Sequence, residues 1–183
     1  MRPLHGFIVS PSEGKLYKNT RKTDGKDFVI SSSMENAKIV NREAIVQAAP
    51  ATYIGSIEEG ATVIVHHNVF RKTYASGGGE ETFSSDRVDE NNYFIPIESI
   101  YAFKNTGDEL WTAMEYWCFV RPSNDLLHGE LVIGNEYLKQ NEVFERDEVV
   151  FVPDSEYEFY IDGEVLYRID SRDICLARKA QKN

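Results

Sequence analysis

Gly6-Phe7-Ile8-Val9-Ser10-Pro11 and Trp117-Cys118-Phe119-Val120-Arg121-Pro122 stand 111 residues apart, each a short apolar run closed by a proline. Outward from this pair, three further segments find partners in the same order. Arg42-Glu43-Ala44-Ile45-Val46 matches Gly129-Glu130-Leu131-Val132-Ile133 at an offset of 87, and Gly60-Ala61-Thr62-Val63-Ile64-Val65 matches Arg146-Asp147-Glu148-Val149-Val150-Phe151 at an offset of 86. Phe94-Ile95-Pro96-Ile97-Glu98-Ser99, with Ile100, matches Leu166-Tyr167-Arg168-Ile169-Asp170-Ser171, with Ile174, at offsets of 72 to 74. Chains rich in β-strands reuse Val and Ile, so one match alone means little; four in one order point to an internal duplication. The alternative is one large irregular barrel.

The matched segments read as strands. They are short, β-branched and aromatic, and they are bounded by Gly, Pro, Asn or Asp. Further strands are expected at Ile100-Tyr101-Ala102-Phe103, Tyr157-Glu158-Phe159-Tyr160-Ile161 and Ile174-Cys175-Leu176-Ala177, with Ile161-Asp162-Gly163-Glu164 as an Asp-Gly hairpin turn. One or two helical turns are expected around residues 33–38 and 137–143. The predicted organisation is a first small barrel over residues 1–104, a linker over 105–112 and a second barrel over 113–183. Leu110 and Trp111 are candidates for packing at the junction.

The copies differ in their connections. Between its first two matched segments the first copy has 30 residues, 12–41, where the second has six, 123–128. A structureless connection of that length is uncommon in a compact domain unless it is functional or disordered. Its arms are polar and punctuated by Gly14 and Gly25, and between them sits one apolar triplet, Phe28-Val29-Ile30. That triplet is either an ordinary strand on its own barrel or an anchor offered to a partner. A second insertion, residues 75–92, contains Gly77-Gly78-Gly79. Acidic residues follow it, and no Lys-Ser/Thr does, so a flexible hairpin is expected there rather than a phosphate cradle.

Composition narrows the function classes. The chain has 183 residues, 42% of them apolar, and carries 30 acidic against 20 basic residues for a formal charge of −10. Such a surface repels nucleic-acid backbones and anionic membranes, so neither is an expected partner. No apolar run has the length of a membrane span, and the start lacks the pattern of a signal or transit peptide, so a cytoplasmic location is expected. Cys118 and Cys175, the only cysteines, are expected to be buried side chains rather than a disulfide. His66-His67 follows Val63-Ile64-Val65; on a continuing strand the two imidazoles would face opposite ways and not converge on a metal. No catalytic residues are nominated, no cofactor or metal is expected, and the chain reads as a non-enzyme.

These pieces resemble the GroES-type co-chaperonin (chaperonin-10) family across most of both halves. Arg2-Pro3-Leu4-His5-Gly6-Phe7-Ile8-Val9 is similar to the family's opening, Arg146-Asp147-Glu148-Val149-Val150-Phe151 to its Gly-Asp-x-Val-x-Phe strand, and Asp173-Ile174-Cys175-Leu176-Ala177 to its closing Asp-Ile-Leu-Ala. The resemblance implies an all-β fold of two tandem GroES-like small β-barrels, the first with a long mobile loop. It implies docking on a GroEL-type chaperonin through Phe28, Val29 and Ile30, with Gly14 and Gly25 as loop hinges, and assembly into a homo-oligomeric ring, seven chains matching a sevenfold partner. The tandem form is known as a class, as are phage-encoded members; for the latter the location is the host cytoplasm. Three departures stand beside it: the second copy lacks the loop, residues 47–59 and 134–145 leave little room for the family's roof hairpin, and Phe28 replaces an aliphatic residue. The rival readings are a non-chaperone β-barrel binding or assembly protein, such as a phage structural factor, and an enzyme, for which neither zinc-ligand cysteines nor a nucleotide-binding half is found.

Overall fold

Runs of β-branched and aromatic residues at period two favour extended backbone with one face buried, and the chain is accordingly all-β with almost no helix. The computed structural model describes residues 2–18, 20–23, 26–29, 40–74, 80–82 and 87–180, with the backbone alone at 20–23, 26–29, 73–74 and 80–82. It divides into two compact units, Met1–Glu109 and Leu110–Asn183. No helix among the described residues is long and apolar enough to cross a membrane.

The first unit carries β1 (Phe7–Pro11), β2 (Thr20–Thr23), β3 (Lys26–Val29), β4 (Glu43–Ala48), β5 (Thr62–Val65), β6 (Lys72–Tyr74), β7 (Glu80–Thr82), β8 (Tyr93–Ile95) and β9 (Ile100–Lys104). Its main antiparallel sheet runs β9-β5-β4-β1-β8, while β2-β3 and β6-β7 form separate two-stranded sheets. The second unit carries β10 (Thr112–Ala113), β11 (Trp117–Pro122), β12 (His128–Ile133), α1 (Glu136–Gln140), β13 (Glu148–Phe151), β14 (Tyr157–Ile161), β15 (Glu164–Asp170) and β16 (Ile174–Arg178). Its antiparallel sheet runs β14-β15-β11-β12-β13-β16, so among the described residues the ladder has two ends, β14 and β16. The Asp162-Gly163 turn joins β14 to β15 with both residues at positive φ, 49° and 86°, which suits a right-handed hairpin twist.

The two ladders agree residue by residue. Val9, Ser10 and Pro11 face Val46, Ile45 and Ala44, with a register slip between Ile8 and Val9. Val120, Arg121 and Pro122 face Leu131, Glu130 and Gly129, with the slip between Phe119 and Val120. A second slip, between Ile64 and Val65 where β5 meets β9, recurs between Val150 and Phe151 where β13 meets β16. Gly60 and Arg146 both sit at positive φ, 87° and 76°, and each donates its amide to the facing strand, at Val46 O and Leu131 O. A three-residue 3-10 turn precedes the last strand in each case, Ile97–Ser99 and Ser171–Asp173.

Two of the sequence matches are corrected by this register. β4 corresponds to β12 at an offset of 85, not 87, and β8 to β15 at 74, not 72. A slip of two residues keeps every side chain on its original face, so apolar alternation alone cannot detect it.

Each unit buries its own apolar face. In the second, Cys118, Val120, Leu131, Leu138, Val149, Phe151 and Ile169 form one cluster. In the first, Phe7, Val9, Val46, Val63 and Ile95 are almost wholly buried, and the Phe70 and Tyr93 rings meet edge to face with centroids 5.1 Å apart. The closing strands differ. Ile100 through Phe103 of β9 are all buried, whereas Cys175 through Arg178 of β16 are all exposed. Cys118 is buried as expected and desolvation pushes its thiol up to about 12, but Cys175 is exposed: among the described residues nothing covers either face of β16 beyond the partly buried Ile174.

Candidate functional site

The segment between β1 and β4 begins at Pro11 and is tied at its base before it departs. Ser12–Gly14 forms a 3-10 turn in which Glu13 and Gly14 take φ of 59° and 65°. No atom lies within 4 Å of where a Gly14 Cβ would sit, so conformation rather than space favours glycine there.

Asn41, fully buried, closes the base from the other side. Its Nδ2 donates to Ser12 O (3.0 Å) and Lys15 O (2.8 Å), its Oδ1 accepts from Glu43 N (3.0 Å), and its own amide donates to Leu16 O (2.8 Å). A buried amide with donors and acceptor satisfied is a rigid tie, because opening it leaves several polar groups unpaired. One step further out, Tyr17 and buried Val40 form an isolated antiparallel bridge, and Tyr17 Oη accepts from Lys72 N (2.7 Å). Lys18 Nζ lies 2.9 Å from Glu43 Oε2.

Beyond this base the described backbone is a hairpin. Thr20, Arg21, Lys22 and Thr23 face Val29, Phe28, Asp27 and Lys26. The expectation of a structureless loop is therefore overturned for the described part of residues 12–41. Thr and Val favour extended backbone, and Asp24-Gly25 stands between the strands, a hairpin signal in the sequence. The hairpin forms its own sheet and adds no strand to the main ladder of its unit. Phe28 and Val29 thus lie adjacent on β3, their side chains outside the description; Ile30 and Gly25 lie outside the described residues, and Gly14 belongs to the base turn.

The same place in the second unit is a tight turn. Ser123 N donates to His128 O (3.0 Å), His128 N to Asp125 O (3.1 Å), and Asp125 N to Ser123 Oγ (3.1 Å). Leu126 at its tip is 92% exposed. Where the resemblance implies a roof hairpin, the first unit has the turn through Pro50–Tyr53 and the second has α1, capped by Asn135 Oδ1 on Leu138 N (2.9 Å).

The helical turn expected near residues 33–38 and the glycines 77–79 lie outside the described residues. β6 and β7 pair on either side of those glycines, Lys72 with Thr82 and Tyr74 with Glu80. The linker residue Trp111 donates from Nε1 to Asp162 Oδ2 at 2.8 Å, and Leu110 is exposed.

The histidine pair departs from expectation. β5 ends at Val65, so His66 caps a 3-10 turn, accepting at Nδ1 from Asn68 N (3.1 Å). The His66 and His67 rings stack with centroids 4.2 Å apart instead of facing opposite ways. Among the described residues no three His, Cys, Asp or Glu side chains converge as metal ligands.

Sequence reasoning missed the base of the excursion: Asn41, Tyr17 and Val40. An Asn just before a strand looks like a turn residue, and only the fold brings the carbonyls of Ser12 and Lys15 to it. Comparison with known proteins finds no matching family model, no matching curated protein and no matching solved structure.

Proposed function

We propose that this protein is a non-enzymatic co-chaperonin, built from two tandem GroES-like barrels, that caps a GroEL-type chaperonin ring and assists ATP-dependent folding. Phe28, Val29 and Ile30 dock on the chaperonin; Gly25 lets the arm carrying them adjust, while Gly14 turns the chain into that arm at positive φ. The second barrel is structural, so each chain brings one docking element. Seven chains in a ring match a sevenfold partner, and several weak contacts then bind together through effective concentration while each stays reversible.

The observation that carries this reading is the contrast at one place in two matching ladders. Both units pair their first two strands in the same register, yet only the first inserts a clamped excursion whose hairpin adds no strand to its own sheet. A hairpin held at a fixed base and not used by its own sheet suits a role toward another molecule. Among the described residues β16 is the exposed last strand of its ladder, and such an edge suits backbone pairing with a neighbouring chain. A net charge of −10 suits a cavity wall that does not bind apolar folding substrates.

A refolding assay with a chaperonin ring and ATP tests the reading. Phe28→Asp with Val29→Asp should abolish capping and refolding while leaving the oligomer intact; unchanged capping refutes the assignment. Among the described residues neither 47–59 nor 134–145 forms a hairpin, which favours one rival, a β-barrel assembly protein unrelated to chaperonins. For that rival, sedimentation gives a monomer without affinity for the ring.

A further inference from the structure

We propose that a groove beside Gly6 in the first unit binds an arginine side chain presented by a partner peptide, with Phe94 and Glu98 as its receptors. The groove has a volume of about 360 Å³, near the lower end of ligand sites, and is lined chiefly by Pro50, Tyr53, Phe94, Pro96 and Ile97, with exposed Glu98 beside them. It lies outside residues 12–41, so the inference does not rest on the co-chaperonin reading.

The second unit shows how the same place looks when filled. By ladder register His5, Gly6, Phe94, Pro96 and Glu98 correspond to Tyr116, Trp117, Arg168, Asp170 and Arg172. There the Arg168 guanidinium lies over the Trp117 ring, 4.2 Å from its centroid. The Arg172 guanidinium lies 5.0 Å from the centroid of Tyr116 and donates from Nε to Asp170 Oδ1 at 2.9 Å. Rings, cations and carboxylate are all supplied by the chain itself.

In the first unit all five positions differ: an aromatic ring and a carboxylate recur, but at positions 94 and 98, where the second unit has its two cations. Position 6 is glycine at φ 95°, and a Cβ there would meet Phe94 Cζ at 2.6 Å and Ile95 O at 2.7 Å. The Phe94 ring therefore occupies the space that a side chain at position 6 would need. Glu98 stands where the other unit has Arg172, reversing the sign, and no Lys or Arg lines the groove. An aromatic face and a carboxylate with no lysine or arginine beside them, His5 being the one basic side chain in the lining, are complementary to a guanidinium, which stacks on the ring and donates to the carboxylate.

A peptide fits better than free arginine. The prolines, Tyr53 and Ile97 match the aliphatic stem of an arginine and an apolar neighbour. Leu4 and Ile54, 66% and 98% exposed, adjoin the groove residues His5 and Tyr53, and Leu4 O accepts from Thr52 Oγ at 2.8 Å. Together they extend the apolar surface beyond a single side chain.

The test is an amide-resolved NMR titration of the full chain with acetyl-Leu-Arg-Leu-amide. Saturable shifts are expected at Gly6, Tyr53 and Glu98. The citrulline analogue, which keeps the shape and loses the charge, should bind about fivefold more weakly. Glu98→Arg, which restores the sign found in the second unit, should weaken the arginine peptide about tenfold or more, and Phe94→Leu about two- to fivefold. Absence of saturable shifts up to about 10 mM peptide, equal binding of the citrulline analogue, or equal binding of free arginine overturns the proposal. The citrulline comparison uses the unmodified protein, so it decides the matter even if a variant fails to fold.

Discussion

Between Pro11 and Glu43 the first unit sends out a clamped hairpin, whereas between Pro122 and His128 the second makes one tight turn, yet both connect strands in the same register. The ladder is thus indifferent to what joins its first two strands. Lengthening the connection this much costs only about 1–2 kcal/mol of closure entropy. The Asn41 hydrogen bonds and the Tyr17–Val40 bridge offset it by closing the excursion at its base. A device that costs the fold so little is free to be kept for a task elsewhere.

The largest effects that would sharpen this comparison come from the shared cores. Leu131 and Val46 occupy the same register position and are both essentially buried. Leu131→Ala should lose about 2–5 kcal/mol and Val46→Ala about 2 kcal/mol, since fewer methylenes leave a smaller cavity. Denaturant titration measures both; a larger loss at Val46 would show that the two positions are not equivalent.

Next come the two buried asparagines. Asn135 Nδ2 reaches Glu115 O, Trp117 O and Ser171 Oγ, each at 2.8 Å. Asn135→Ala and Asn41→Ala should each lose about 1–3 kcal/mol by stranding buried carbonyls. Their consequences differ: amide exchange should speed up across the ladder near Ser171 in the first, and only at residues 15–17 and 40–43 in the second. Exchange that spreads through β4 and β5 in Asn41→Ala would mean the clamp belongs to the core.

A smaller contrast is set by pH. Burial raises the Asp147 carboxyl, but donation from Phe144 N, Ala180 N and Lys179 outweighs this and holds it below the ordinary range. The corresponding residue in the first unit is Ala61. A depressed folded-state pKa gives stability that is present above about pH 4 and lost as the pH falls through the lowered value. Asp147→Asn should therefore flatten the acid side of the stability curve and leave the neutral side lower. An unchanged acid limb would show that the tie to the C-terminal residues contributes nothing.

Much of this was legible in the chain. The strands of the two main ladders, their order along the chain and the Asp162-Gly163 turn follow from periodicity and turn chemistry, whereas β6, β7 and β10 carried no such pattern. The two-residue slips at β4 and β8 were not, because period-two patterns are blind to even shifts and only bulges and hydrogen bonds fix them. β16 looks as apolar as β9, and nothing local says that Cys175 and Leu176 would be left exposed. The β2–β3 hairpin carried its own signal, Asp24-Gly25 between Thr23 and Lys26, which the surrounding polarity obscured. The base clamp depends on carbonyls 26 to 29 residues away from Asn41, beyond any local pattern.

The mildest probe is thiol labelling. Native protein should alkylate at exposed Cys175 and not at buried Cys118. If the proposed ring joins through β16, labelling of Cys175 should slow as the chains assemble; equal rates in monomer and ring would remove β16 from the interface.

Replacing residues 12–42 with Ser123-Asn124-Asp125-Leu126-Leu127 makes the first unit's connection like the second's, and co-sedimentation with a chaperonin ring and ATP then tests the central claim. The grafted protein is expected to remain folded and assembled but to stay in the supernatant, while the unaltered chain pellets with the ring. A graft that pellets as fully as the unaltered chain, or an unaltered chain that never pellets, would contradict the account.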